Sequence, residues 1–211
     1  MRNLLFLFVV LFSFGCPKIN SQKTSFTSSS KNITLENIWD GTFSTQRMNA
    51  LNSMNGDFYS LLNFDRENSA TTIDIYSYKT LEKVKTLVNS NMIEGLAGFS
   101  SYSFNNNETK LILGANFKKI YRRSFKGTFY AYDITSKKVS QIGKNIQEPV
   151  FSPDNKKVAY AKDNNIFIKN LLTNKVTQIT KDGKRNQIIN GNTDWVYEEE
   201  FSFVRAFEWS N

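Results

Sequence analysis

The chain has 211 residues, 40% of them apolar and 14% aromatic, enough to build one domain around a packed core. It holds no histidine and one cysteine, which excludes Ser-His-Asp and Cys-His catalysis, an internal disulfide and a cysteine-built metal cluster within these residues. The net charge is +8, but lysines such as Lys79, Lys137, Lys138, Lys156, Lys157 and Lys175 lie scattered among turns and form no dense basic helix, so the charge argues for solubility and against a nucleic-acid partner.

Taken from the N-terminus, Arg2 precedes an apolar run over residues 4–14. That length fits a signal-peptide core and falls short of the roughly 20 residues a membrane span needs. The expectation is a signal peptide over residues 1–16 and an exported protein, periplasmic or extracellular. Gly15-Cys16 follows the run, so a lipid anchor on Cys16 is the alternative fate, although bulky Phe14 stands where a lipidation signal wants a small residue. Residues 17–50 read as a flexible leader rich in Ser, Thr and Lys, with a short helix near its end: Thr34 as N-cap, Asn37 three residues on, Gly41 as the stop.

From Leu51 onward the pattern repeats. The clearest copy runs through Pro149-Val150-Phe151 as a short strand, the turn Ser152-Pro153-Asp154-Asn155, and Lys157-Val158-Ala159-Tyr160-Ala161. Asp163-Asn164-Asn165 then turns the chain into Ile166-Phe167-Ile168-Lys169-Asn170, and Thr173-Asn174 into Val176-Thr177-Gln178-Ile179. Four short strands separated by turn residues make the unit of a propeller blade. An earlier copy aligns with it: Phe104, Asn105-Asn106-Asn107, Leu111-Ile112-Leu113, Phe129-Tyr130-Ala131-Tyr132-Asp133 and Val139-Ser140-Gln141-Ile142. A weaker first copy starts at Leu51 and includes Phe58-Tyr59-Ser60-Leu61, Ile73-Asp74-Ile75-Tyr76 and Val84-Lys85-Thr86-Leu87. The anchors Leu51, Phe104 and Phe151 recur at close to the blade period of roughly 40 to 50 residues.

The expected fold is therefore all-β: an incomplete β-propeller over residues 51–211, with about three four-stranded blades and the start of a fourth at Phe207-Glu208-Trp209-Ser210-Asn211. Tandem hairpins outside a propeller are the alternative, and three copies in phase favour the propeller. Propellers close by bringing the last blade onto the first. Three blades and a stub cannot do so, and the chain is expected to be the front part of a longer protein.

Two interruptions break the repeat, and insertions in a repeat array tend to share one face. The first holds Phe117-Lys118-Lys119-Ile120-Tyr121-Arg122-Arg123-Ser124-Phe125. The second covers residues 180–208 and holds Asp194-Trp195-Val196-Tyr197-Glu198-Glu199-Glu200-Phe201. Three carboxylates between aromatic residues form either an acidic surface turn or a carboxylate clamp for a cation.

The run Asp194 to Glu200, with its approach Ile188-Ile189-Asn190-Gly191-Asn192-Thr193, resembles the glutamate motif of the dipeptidyl peptidase IV family. Tyr121-Arg122-Arg123-Ser124-Phe125 resembles that family's arginine-bearing propeller loop, and Phe151-Ser152-Pro153-Asp154 and Asn165-Ile166-Phe167-Ile168-Lys169 resemble its early blades. The resemblance spans roughly residues 33–211. It implies an eight-bladed propeller followed by an α/β-hydrolase domain, and a serine exopeptidase that removes N-terminal dipeptides with Pro or Ala in second position. The catalytic Ser, Asp and His would lie in the hydrolase domain, which is missing from these residues, so no catalytic residue is expected in this chain and no activity from it alone.

Carried over position by position, the resemblance makes Glu199 and Glu200 the clamp for a peptide's α-ammonium group, with Arg122 steadying the substrate carbonyl and the glutamate pair. Asp194, Tyr197 and Glu198 support them, Glu198 facing backbone or a structural partner. The chemistry is sound: an α-amino group with a pKa near 8 is mostly a cation at pH 7, and paired carboxylates accept charge-assisted hydrogen bonds from its N–H groups. The resemblance calls for no metal or cofactor and allows a homodimer of the full-length protein. The competing class is a non-catalytic, exported propeller used for binding, which would have no hydrolase domain downstream.

Overall fold

In a computed structural model, residues 33–45 and 50–210 are described; the expected signal peptide, Cys16, most of the leader and Asn211 lie outside them. Residues 33–45 carry a five-residue helix, α1 (Leu35–Trp39). Thr34 caps it through its hydroxyl, which accepts from the Asn37 amide, while the Asn37 side chain accepts from the Thr34 amide. This reciprocal pair satisfies two donors that a helix start leaves unpaired.

The rest is antiparallel sheet. The first blade is β1 (Leu51–Ser53), β2 (Phe58–Asp65), β3 (Ala70–Ser77) and β4 (Lys83–Asn89), hydrogen-bonded in sequence order. A seven-stranded sheet follows, formed by β5 (Ser101–Phe104), β6 (Lys110–Lys119), β7 (Phe125–Asp133), β8 (Val139–Phe151), β9 (Lys157–Lys162), β10 (Asn165–Asn170) and β11 (Val176–Gln178), again neighbour to neighbour.

The seven strands are two blades that share one. Residues Val139 to Ile146 of β8 pair with β7, and Gln147 to Phe151 pair with β9. The sequence predicts separate strands at Val139-Ser140-Gln141-Ile142 and Pro149-Val150-Phe151 with a link between them. The link is itself extended: Asn145 and Glu148 take left-handed backbone angles (φ 54° and 51°), which bend the strand from one sheet to the next without ending it.

Strand periodicity explains the core. Successive side chains of a strand point to opposite faces. On β6, Leu111 and Leu113 face a cluster with Ile73 and Val88 of the first blade, and Ile112 faces a second cluster with Ile142, Ile146, Val158 and Tyr160. A strand buried on both faces reads as a continuous apolar run, as Leu111-Ile112-Leu113 does. The turns follow their residue chemistry: Asp163 and Asn164, both left-handed, make the two-residue link between β9 and β10. Corresponding turns of neighbouring blades also touch, since the Asn55 amide donates to Glu108 (2.7 Å) and Asn155 to Asn107 (3.5 Å).

Beyond β11 the blade pattern stops. Two short strands, β12 (Gly191–Asn192) and β13 (Arg205–Ala206), pair with each other and flank a helix, α2 (Trp195–Phe201). Residues 207–210, expected to open a fourth blade strand, are not laddered; the pairing falls just before them at β13, and the Trp209 indole donates to the Val150 carbonyl at 3.3 Å.

Candidate functional site

Two elements converge here, and both are built by local rules. The arginine-bearing interruption is the extended end of the β6–β7 hairpin. A register shift between Ala115 and Lys118, with Asn116 at φ 53°, bulges the strand. The ladder then resumes with Lys118 opposite Lys126 and Lys119 opposite Phe125, and the tip closes by the Ile120 amide donating to the Ser124 carbonyl. The Phe117 ring packs edge-on against Phe125 and Phe129 and lies over the backbone of Gly127, where an added Cβ would come within 2.9 Å of it. The tip therefore stands on an aromatic base, with Tyr121, Arg122 and Arg123 exposed.

The insertion after β11 is tied to the third blade. The Gly183 amide donates to Asn165 and the Asn190 amide to the Asn164 carbonyl. Gly183 runs so close to the β9–β10 turn that a Cβ there would sit 2.1 Å from the Asn164 oxygen. Helix α2 then begins at Asp194, whose carboxylate accepts from the Tyr197 amide at 3.0 Å. It ends at Ser202, which takes the left-handed conformation that stops helices. Thr193 donates to the Phe203 carbonyl (2.6 Å), tying the two ends together.

From the sequence alone this segment is assigned no secondary structure. The signal was present: an Asp N-cap followed by seven residues without Gly or Pro. The helix matters because consecutive residues diverge by about 100° around its axis. The three glutamates therefore have three environments. Glu198 is 1% exposed, and its Oε1 accepts from the backbone amides of Arg123 (2.5 Å) and Ser124 (3.0 Å). Glu199 is half-buried, and its Oε2 lies 3.4 Å from the Arg122 guanidinium, itself 71% exposed. Glu200 is exposed. Tyr197 is exposed and packs against Phe201, and Asp194 is spent on the cap.

Magnitudes decide what holds the hairpin to α2. An exposed ion pair such as Arg122–Glu199 contributes roughly 0.2–1 kcal/mol. A hydrogen bond to a buried charged acceptor contributes about 1.5–3 kcal/mol, and Glu198 makes two. Burial works against ionising Glu198, yet the Ser124 hydroxyl beside it, the two amides and the Arg123 charge together hold its pKa below the ordinary carboxylate value.

Glu148, which the sequence did not single out, stands at the left-handed bend of β8. Burial raises its pKa, the Arg205 charge offsets part of that rise, and the Glu198 charge adds to it. Its only sequence signal was a charge beside a strand pair. A cleft of about 440 Å³ opens between the two elements, lined by Tyr121 and Ser124 of the tip, Gln147 of β8, and Arg185, Asn192 and Thr193 of the insertion. A second, of about 480 Å³, lies on the insertion and includes Asp194, Tyr197, Phe203 and Arg205. Glu199 and Glu200 line neither; Glu199 meets Arg122 of the tip, and Glu200 is exposed on the helix surface. Among the described residues no cluster of His, Cys, Asp or Glu is arranged to hold a metal ion.

Comparison with known proteins bears on the identity of this arrangement. The family described as "Dipeptidyl peptidase IV (DPP IV) N-terminal region" matches residues 105–211, about half the chain. Prolyl endopeptidase FAP of Bos taurus is 30% identical over 185 residues, 86% of this chain and 23% of that protein. Dipeptidyl peptidase 4 of Sus scrofa is 36% identical over 119 residues, 54% of this chain and 16% of its own length. The crystal structure of Porphyromonas gingivalis dipeptidyl peptidase 4 superposes with a TM-score of 0.75 at 32% identity, covering 85% of this chain and 26% of that one. The chain thus spans about a quarter or less of the length of these relatives. By these matches the chain, an antiparallel partial propeller, belongs to the dipeptidyl peptidase IV family.

Proposed function

We propose that this chain is the propeller part of an exported serine exopeptidase, and that Glu199 and Glu200 bind the α-ammonium group of a peptide substrate. The observation that carries this reading is the Arg122–Glu199 contact, which joins residues 77 positions apart in sequence at an exposed site. A protein surface gains little from such a pair, whereas a site that holds a peptide N-terminus uses both groups: carboxylates accept from the ammonium and a guanidinium donates to a backbone carbonyl. In this reading the N-terminus is fixed at a set distance from a nucleophile, so cleavage falls two residues in, with Pro or Ala preferred in second position. The nucleophile, its histidine and its aspartate belong to an α/β-hydrolase domain outside these residues. In the same reading the full-length protein acts in the periplasm or outside the cell, needs no cofactor and is compatible with a homodimer.

The test is dipeptide release by the full-length protein. Glu199→Ala and Glu200→Ala should each lower kcat/KM by about 30-fold or more, since a desolvated charge left without its partner costs roughly 2–5 kcal/mol. The unfolding midpoint should stay at the wild-type value, because Glu200 is exposed and Glu199 only half-buried. Near-normal turnover in both variants would overturn the assignment.

A further inference from the structure

We propose that Glu198 is the positioning residue of this site: from inside α2 it holds the hairpin tip, and through the tip it holds Arg122 against Glu199. The inference rests on the clamp reading above, but its geometry stands by itself. The Glu198 carboxylate is buried and accepts from two consecutive amides, those of Arg123 and Ser124. Arg122 precedes those two residues directly. These two bonds and the Arg122–Glu199 pair join α2 to the tip, and the Ser124 hydroxyl lies beside the same Glu198 carboxylate. The tip's own closure, Ile120 to Ser124, sets its shape and not its placement over the helix.

Chemistry suits the role. Two amides directed at one oxygen favour the ionised carboxylate and fix its direction. Helical geometry then does the rest: with Glu198 pointed under the tip, Glu199 is turned by about 100° toward the flank where Arg122 stands. Glu198 therefore touches no substrate. It sets the separation between the guanidinium and the neighbouring carboxylates, and its own negative charge makes the surface above it more favourable for a cation.

Two measurements on the full-length protein test this. The first is amide hydrogen exchange at Arg123 and Ser124. Glu198→Gln, which keeps the shape and removes the charge, should speed exchange at both amides by about tenfold, the loss of roughly one charge-assisted bond. Glu199→Gln should leave both amides at the wild-type rate. Unchanged exchange in Glu198→Gln overturns the proposal. The second is kinetic. Glu198→Gln should raise KM for a dipeptide-releasing substrate about tenfold while kcat stays within about threefold, as expected when binding geometry is lost and chemistry is not. Adding Arg122→Ala to it should change KM little beyond Arg122→Ala alone, because both remove one device. A fall in kcat at constant KM, or fully additive effects, overturns the proposal. If Glu199→Gln and Arg122→Ala leave KM untouched, the clamp reading fails instead, and the exchange measurement still decides whether Glu198 places the tip.

Discussion

Asp74 of the first blade and Glu198 of α2 are both almost fully buried carboxylates, at 3% and 1% exposure, and they are satisfied in opposite ways. Asp74 is held by side chains of its own sheet: Asn63 on β2 (2.8 Å), Thr72 on β3 (3.0 Å), and Thr86 (2.7 Å) and Lys83 (2.8 Å) on β4. Glu198 is held by backbone amides of a hairpin some 75 residues away in sequence. The first arrangement locks one blade to itself. The second locks one element to another while leaving both surfaces open. Equal burial therefore signals different things: a buried acid with local side-chain partners is a strut within a blade, and one with distant backbone partners sets a spacing between elements.

That contrast can be broken at its strongest point. Ile73, next to Asp74 on β3, is wholly buried on the opposite face against Leu111 and Leu113. Ile73→Ala should cost about 3–4 kcal/mol, read as a shift in the denaturant midpoint of the full-length protein. Asp74→Ala should come next, at about 2–3 kcal/mol, because four donors lose a charged acceptor but Lys83 can turn to solvent. Neither should alter KM. If Asp74→Ala raised KM as Glu198→Gln is expected to, the division between strut and spacer would collapse.

Acid sharpens the comparison. Burial raises the Asp74 pKa, but Lys83, Asn63, Thr86 and Thr72 outweigh it and hold the pKa below the ordinary value. Its contribution is thus complete above the unfolded pKa of about 3.9 and is lost as pH falls through the lower folded pKa. The Lys110–Asp133 pair of the second blade follows the same sign, with Asp133 lowered to about 2 by Lys110 and the Ser136 amide. Denaturant midpoints of wild type and Asp133→Asn should differ by about 1 kcal/mol at pH 6, the full shift being discounted for partial exposure. They should converge as pH falls from about 4 toward 2. A gap that widened in acid would contradict the assignment.

The blades were legible because their signals are local. Alternation, the Asn- and Asp-bearing turns and the likeness of Val139-Ser140-Gln141-Ile142 to Val176-Thr177-Gln178-Ile179 depend on neighbours in sequence. The continuity of β8 was not legible, since it requires Glu148 in a left-handed conformation that its side chain gives no reason to expect. Helix α2 is absent from the sequence reading although Asp194 announces it, because the three adjacent carboxylates are weighed there as an acidic turn or a clamp and not as successive positions around an axis. The glutamates and Arg122 were named from the sequence. The inward turn of Glu198 was beyond it, since that depends on where the β6–β7 hairpin ends in space.

The smallest expected effect tests the weakest link, the Arg122–Glu199 pair. Arg122 is 71% exposed and its separation from Glu199 is 3.4 Å, long for a charge-assisted bond. Removing the pair with Arg122→Ala should therefore shift the unfolding midpoint by less than about 0.5 kcal/mol, and the shift should shrink further in high salt. Stability and KM should then separate: a residue that contributes almost nothing to the fold should still matter for a substrate that brings its own charges to the same place. If Arg122→Ala instead destabilised the protein as much as Asp74→Ala does, the pair would be a structural bridge between hairpin and helix, and Glu199 and Glu200 would lose their claim to a ligand.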